Sequence, residues 1–276
     1  MDTPMRRRPF VIAAALALGA QLCLPVTTTA AVPAVTGGIT WAAPVQAGGL
    51  VMASRSNPRA HAFASRPAGS SAPIARWNPC SGAIGHRVNL THAPRGVLRD
   101  VGRAAARIRA ATGLRLVYQG TTRITPGRSW QPAFPADTRV VIAWDLPSRN
   151  HLLGSAFPSG SGITTVGAGG SLWSPGHRDR AGRPALEITQ GFVILSSTAR
   201  LAAGFGRGPA YGLQGTRGQL LMHELGHAVG LDHPRLADRT EIMSPVLSRK
   251  PARWGAGDLV GLRRVGASNG CLYPAG

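Results

Sequence analysis

Three histidines at fixed steps constrain this chain more than any other feature. In His223-Glu224-Leu225-Gly226-His227-Ala228-Val229-Gly230-Leu231-Asp232-His233, the first two histidines are four residues apart. On a helix, that spacing sets both imidazoles on one face, about 6 Å apart, where they can share an ion. The stretch from Thr216 to Val229 reads as that helix. Gly230 accepts the left-handed conformation that ends a helix, so the chain can turn at Leu231-Asp232 and bring His233 to the same point from outside.

Imidazole is a preferred ligand of zinc. Three protein ligands with one open position is the pattern of a catalytic zinc site, whereas structural sites are closed by a fourth ligand. Zinc lowers the pKa of bound water from 15.7 toward about 7, so a nucleophile would exist at neutral pH. Glu224 is adjacent to His223 in the chain and is poorly placed to bind the same ion. It can instead take the proton from that water and pass it to a leaving amine, as general base and then general acid. A structural histidine cluster is the alternative reading. With 8 histidines and 36 glycines in 276 residues, the five fixed matches arise by chance on the order of once in a hundred thousand.

The N-terminus has the three parts of a secretory signal: Arg6-Arg7-Arg8, an apolar run from Phe10 to Leu24, and small residues through Ala31. Residues 1–31 are therefore expected to be removed on export. The apolar run is shorter than the roughly 20 residues that span a bilayer, which argues against a retained membrane anchor. Arg7-Arg8 before Phe10-Val11 leaves both general and twin-arginine export open. Cys23 leaves with the signal. In an oxidising compartment, Cys80 and Cys271 are expected to pair and clamp the two ends of the mature domain.

From Val32 to Ala75 the sequence is Ala, Gly, Pro, Ser and Arg without an apolar period, and it reads as a linker or pro-segment without a core. From Arg76 the pattern changes, and 76–276 is expected to be one catalytic domain. A strand around His86 to Leu90 precedes an amphipathic helix between Pro94 and Ala111, where Val97, Leu98, Val101, Ala105, Ile108 and Ala111 recur at helical steps. Strands follow at Leu114 to Gln119 and Arg139 to Trp144, the second with the continuous apolar run of a central strand. Gly162 to Gly167 reads as an edge strand, Glu187 to Ser196 as a buried one, and Asp258 to Val265 as a last helix.

The segment His223 to His233, followed by Ile242-Met243-Ser244-Pro245, resembles the metzincin clan of metallopeptidases and, within it, the matrixin-like peptidases. Arg76-Trp77-Asn78-Pro79-Cys80 and Ala111-Thr112-Gly113-Leu114 are similar to secreted actinobacterial members. The resemblance implies an α+β fold: a twisted five-stranded mixed sheet with an edge strand over the cleft, two backing helices, and a small C-terminal subdomain with a third helix. It also implies that Met243 packs beneath the zinc ligands, that an extended protein or peptide substrate pairs with the edge strand, and that Ser244-Pro245-Val246 wall the pocket beside the zinc. The cysteine-switch motif of animal matrixins is missing, as is their His and Asp pattern for structural zinc and calcium. His151 and His177 are candidates for a second ion, and Asp145 and Asp179 for Ca2+.

Basic residues outnumber acidic ones 31 to 11, for a net charge of +20. Nearly all of this is arginine spread along the chain, and the basic stripe interleaved with aromatics that a nucleic-acid site needs is missing. Two other readings compete with the peptidase: a zinc-stabilised extracellular binding protein, and a basic protein adhering to anionic envelope polymers. A binding module needs the histidines but not Glu224, and an adhesive protein needs neither.

Overall fold

The structure is a computed structural model that describes residues 38–41, 56–66, 70–127, 134–153, 164–208, 215–234 and 238–275. The expected signal and Cys23 lie outside them. Among the described residues, ten strands and three α-helices follow in the order β1 (Gly38–Trp41), β2 (Ala62–Phe63), β3 (Ala75–Arg76), β4 (Ile84–Val88), α1 (Val97–Thr112), β5 (Leu116–Thr121), β6 (Val140–Asp145), β7 (Thr164–Arg178), β8 (Pro184–Ser196), α2 (Arg217–Ala228), β9 (Leu231–Asp232), α3 (Ala256–Val265) and β10 (Tyr273–Pro274). No helix among them is long and apolar enough to cross a membrane.

The fold is α+β, built on one curled mixed sheet with the strand order β1-β7-β8-β6-β4-β5. Strands β5, β4, β6 and β8 run parallel, and β7 returns antiparallel to β8 as a long hairpin. The five strands expected from the sequence are all present. Three short ones join them, with β1 and β10 pairing with β7 and β3 with β8, so the sheet has eight strands where five were expected. The expected edge strand is longer than its sequence signal, and over Thr164–Ala168 it is bordered by β1. A backbone ladder needs no apolar side chains, which is why this pairing left no mark in the sequence.

Strand β6 is buried along its whole length because it supplies two cores. Val140, Ile142 and Trp144 join Val101 and Ile108 of α1 and Leu220 and Leu221 of α2 on one face, while Ala143 packs with Leu153, Ala168 and Ile194 on the other. The two helices are tied at their first turns. The Asp100 carboxylate, fully buried in the first turn of α1, accepts from Arg217 Nη2 at 2.8 Å and from its Nε at 3.0 Å. Asp100 also offsets the positive end of its own helix dipole. Thr216 caps α2 by accepting from the Gln219 N–H.

Order begins before Arg76. Ala60, Phe63 and Ala75 are buried, so these parts of the segment read as coreless pack into the domain; single apolar residues docked on another element produce no period in the sequence. The residues after β3 are seamed to the C-terminus. The Arg76 guanidinium donates to the carbonyls of Gly270 and Asn269, and Asn78 exchanges two hydrogen bonds with Leu272. The Cys80–Cys271 disulfide closes this seam across 191 residues.

The chain-entropy model credits closure of so long a loop with at most about 5 kcal/mol. Replacing both cysteines by alanine is expected to lower unfolding free energy by roughly 2–5 kcal/mol, read by chemical denaturation. The hydrogen-bonded seam remains, so the variant should still fold.

Candidate metal centre

Helix α2 presents His223, Glu224 and His227 because it lies closely against the sheet. A Cβ at Gly169 of β7 would collide with the Glu224 backbone carbonyl, so glycine there lets helix and strand approach. The helix ends where the sequence indicated. Gly230 has φ of +106°, which glycine adopts without the strain other residues incur. The chain then turns into β9, and Asp232 Oδ1 accepts from the His233 N–H at 2.7 Å. Trp77 Nε1 donates to the Ala228 carbonyl, satisfying one of the acceptors left open at the end of α2.

His223, His227 and His233 converge. Their Nε2 atoms are 3.0 Å apart for His223 and His233, 3.0 Å for His223 and His227, and 3.2 Å for His227 and His233. His223 Nδ1 lies 2.6 Å from the Ile242 carbonyl and His227 Nδ1 lies 3.0 Å from the Leu231 carbonyl. A carbonyl can only accept, so both Nδ1 atoms carry the proton and both Nε2 atoms present lone pairs. Lone pairs aimed at one point repel unless a cation lies between them. The edges are close to the roughly 3.3 Å that tetrahedral ligation at about 2.0–2.1 Å requires. The donor set therefore fits a zinc-type ion.

Burial keeps these imidazoles neutral. His227 is lowered to about 4 by desolvation, against the opposing effect of the Leu231 carbonyl. His233 is lowered to about 3 by desolvation first and His227 second. His223 falls well below its ordinary value for the same reason, reinforced by its two neighbours. Glu224 is shifted the other way, well upward, by burial alone. Neither of its carboxyl oxygens has a hydrogen-bond partner among the described residues. The carboxyl lies against β7, where a Cβ at Gly167 would come 2.6 Å from Oε1. An unpartnered buried polar group costs about 1–3 kcal/mol or more, and groups left in that state concentrate at functional sites.

Met243 is buried beside this cluster. A Cβ at Gly226, between the two helical ligands, would overlap its Sδ, so the glycine of the motif is the space the methionine fills. The turn carrying Met243 is held by Asp258 of α3, which accepts from the Ile242 N–H at 2.5 Å and the Met243 N–H at 3.1 Å. Burial pushes Asp258 up to about 7, and neighbouring Glu241 adds to the shift. Sequence reasoning missed both carboxylates. In the sequence Asp258 only opens the expected last helix, and nothing there pairs it with a turn 15 residues earlier.

The candidate residues for a second ion do not gather into a metal-holding group among the described residues. Among the described residues, His223, His227 and His233 form the one group of three or more His, Cys, Asp or Glu side chains close enough to share an ion. His177 Nε2 pairs with Glu187 at 3.0 Å, Asp179 is held by Arg183 in the β7–β8 turn, and Asp145 accepts from the Leu146 N–H and from Asn150.

No family model matches the chain, and no curated protein matches it. The case for its chemistry rests on the residues themselves.

Two outcomes follow from this geometry. Gly226→Ala should force Met243 aside, with a stability loss of about 1–3 kcal/mol, typical of overpacking, and weaker metal binding by equilibrium dialysis. Ligand pKa values below the ordinary 6.5 mean that protons compete with a metal only at lower pH. Bound metal should therefore be retained as pH falls through 6.5 and released only toward about 4, measured by dialysis across that range.

Proposed function

We propose that this chain is a zinc-dependent endopeptidase of the metzincin clan, matrixin-like in type and exported by its N-terminal signal. The observation that carries the proposal is the convergence of three neutral imidazole nitrogens beside a fully buried carboxyl with no hydrogen-bond partner among the described residues. The disulfide between Cys80 and Cys271 supports an oxidising destination.

His223, His227 and His233 would hold the ion. When bound, zinc would supply a Lewis acid that polarises a scissile carbonyl and makes water acidic enough to lose a proton near neutral pH. Glu224 would take that proton and return it to the departing amine, and burial, which raises its carboxyl above the ordinary carboxylate range, makes it a stronger base. The Ile242 and Leu231 carbonyls hold the imidazole rings of His223 and His227 in the tautomer that leaves Nε2 free. Met243 packs against α2 at Gly226, between His223 and His227. Strand β7 runs past Glu224, and its stretch Thr164–Ala168 accepts an antiparallel backbone in β1. An extended peptide would pair with that stretch only in place of β1, through its backbone and with weak dependence on its sequence.

The test is hydrolysis of an unfolded protein by the purified chain after removal of the leader, with bound zinc measured alongside. Glu224→Ala should retain zinc and lose roughly a hundred- to ten-thousand-fold in rate, the range for removal of a general base. Zinc bound by a wild type that cleaves nothing would overturn the peptidase in favour of a zinc-stabilised binding protein.

A further inference from the structure

Residues 56–66 lie in the stretch that reads as a linker, yet they touch both loops that orient the metal ligands. At one end, Ser56 Oγ donates to Glu241 Oε1 at 2.5 Å and accepts from the Ala256 N–H at 2.5 Å, while the Asn57 N–H donates to Asp238 Oδ2 at 3.1 Å. Glu241 Oε2 accepts from the Asp258 N–H at 2.7 Å, and the Asp258 side chain accepts from the Ile242 and Met243 N–H groups. The Ile242 carbonyl receives His223 Nδ1. A continuous series of hydrogen bonds, with Glu241 and Asp258 both buried, thus runs from Ser56 to the first ligand.

At the other end, β2 pairs antiparallel with β9, matching Ala62 with Asp232 and Phe63 with Leu231, and the Ala64 N–H donates to the Gly230 carbonyl at 3.1 Å. Leu231 supplies the carbonyl that orients His227, and Asp232 precedes His233. Between these ends, Ala60 is fully buried, and its carbonyl fills the space a Cβ at Gly257 of α3 would need. One short segment therefore reaches, from outside, both turns that aim the imidazoles, through backbone and carboxylate hydrogen bonds that add to those made by Asp258.

We propose that residues 56–66 are a positioning brace for the metal ligands, with Ser56 acting through Glu241 on the turn that orients His223. The brace rests on the metal-site reading above. It makes this segment a permanent part of the centre, which processing of the N-terminal region must leave in place.

Groups that orient metal ligands typically change affinity 10- to 100-fold when removed. Ser56 acts through further bonds, so an effect of about tenfold is expected. The experiment compares the full chain with Ser56→Ala, Ser56→Thr, Glu241→Gln and the Ser56→Ala/Glu241→Gln pair. Zinc affinity is read by chelator competition, ligand geometry by the visible spectrum of the cobalt(II)-loaded protein, and the metal-free thermal midpoint serves as the folding control. Ser56→Ala should lose about tenfold in zinc affinity with an altered cobalt spectrum. Threonine, which keeps the hydroxyl, should restore both, and the paired variant should lose less than the sum of the single losses. A Ser56→Ala chain with wild-type affinity and an unchanged cobalt spectrum, even with a lowered midpoint, overturns the brace alone. A wild type that binds no zinc overturns the metal-site reading, and the brace with it.

Discussion

Three imidazole nitrogens crowded at one point, with the lone pairs of His223 and His227 turned inward, make an arrangement that a folded chain does not hold without compensation. The Nε2 atoms lie 3.0–3.2 Å apart, and burial removes the water that would otherwise separate them. Their neighbours are arranged to keep them so. Two backbone carbonyls fix the tautomers of His223 and His227, Asp232 accepts from the His233 backbone, and the Met243 side chain fills the gap left by Gly226. A cation bound there would offset the repulsion, and its binding free energy would then contribute to folding.

Holding that point steady requires parts from distant stretches of chain. Helix α2 supplies two ligands, and its seating depends on the glycines of β7 and on the Arg217–Asp100 pair that ties it to α1. The turn at Ile242-Met243 depends on Asp258 of α3 and, behind it, Glu241 and Ser56. The turn at Leu231-Asp232 depends on β2. Each support comes from a different element, so small displacements in any of them would reach the imidazoles through hydrogen bonds that tolerate little change in length.

Much of the frame was legible in sequence because its signals are local. Helix α1 appeared within a few residues of its observed ends from apolar steps that survive any tertiary context, and β6 appeared as central from an unbroken apolar run. The pairing of Cys80 with Cys271 followed from the two cysteines that remain once the expected signal is set aside. What escaped was non-local. Strand β1 is four residues paired with a strand more than 120 positions later, residues 56–66 bury single side chains without a period, and the carboxylates of Glu241 and Asp258 act on a turn that sequence spacing does not connect to them.

The sequence by itself determined the ligand set, because helical periodicity and a glycine stop dictate which histidines can meet wherever the helix is placed. It also determined the α+β class and the covalent clamp. Only the tertiary structure decided which protons those histidines carry, how far burial moves His223, His227, His233 and Glu224 from their ordinary ionisation, and which outlying segment braces them. Tautomer, desolvation and support are properties of surroundings, and the surroundings here join residues as far as 200 positions apart in the chain.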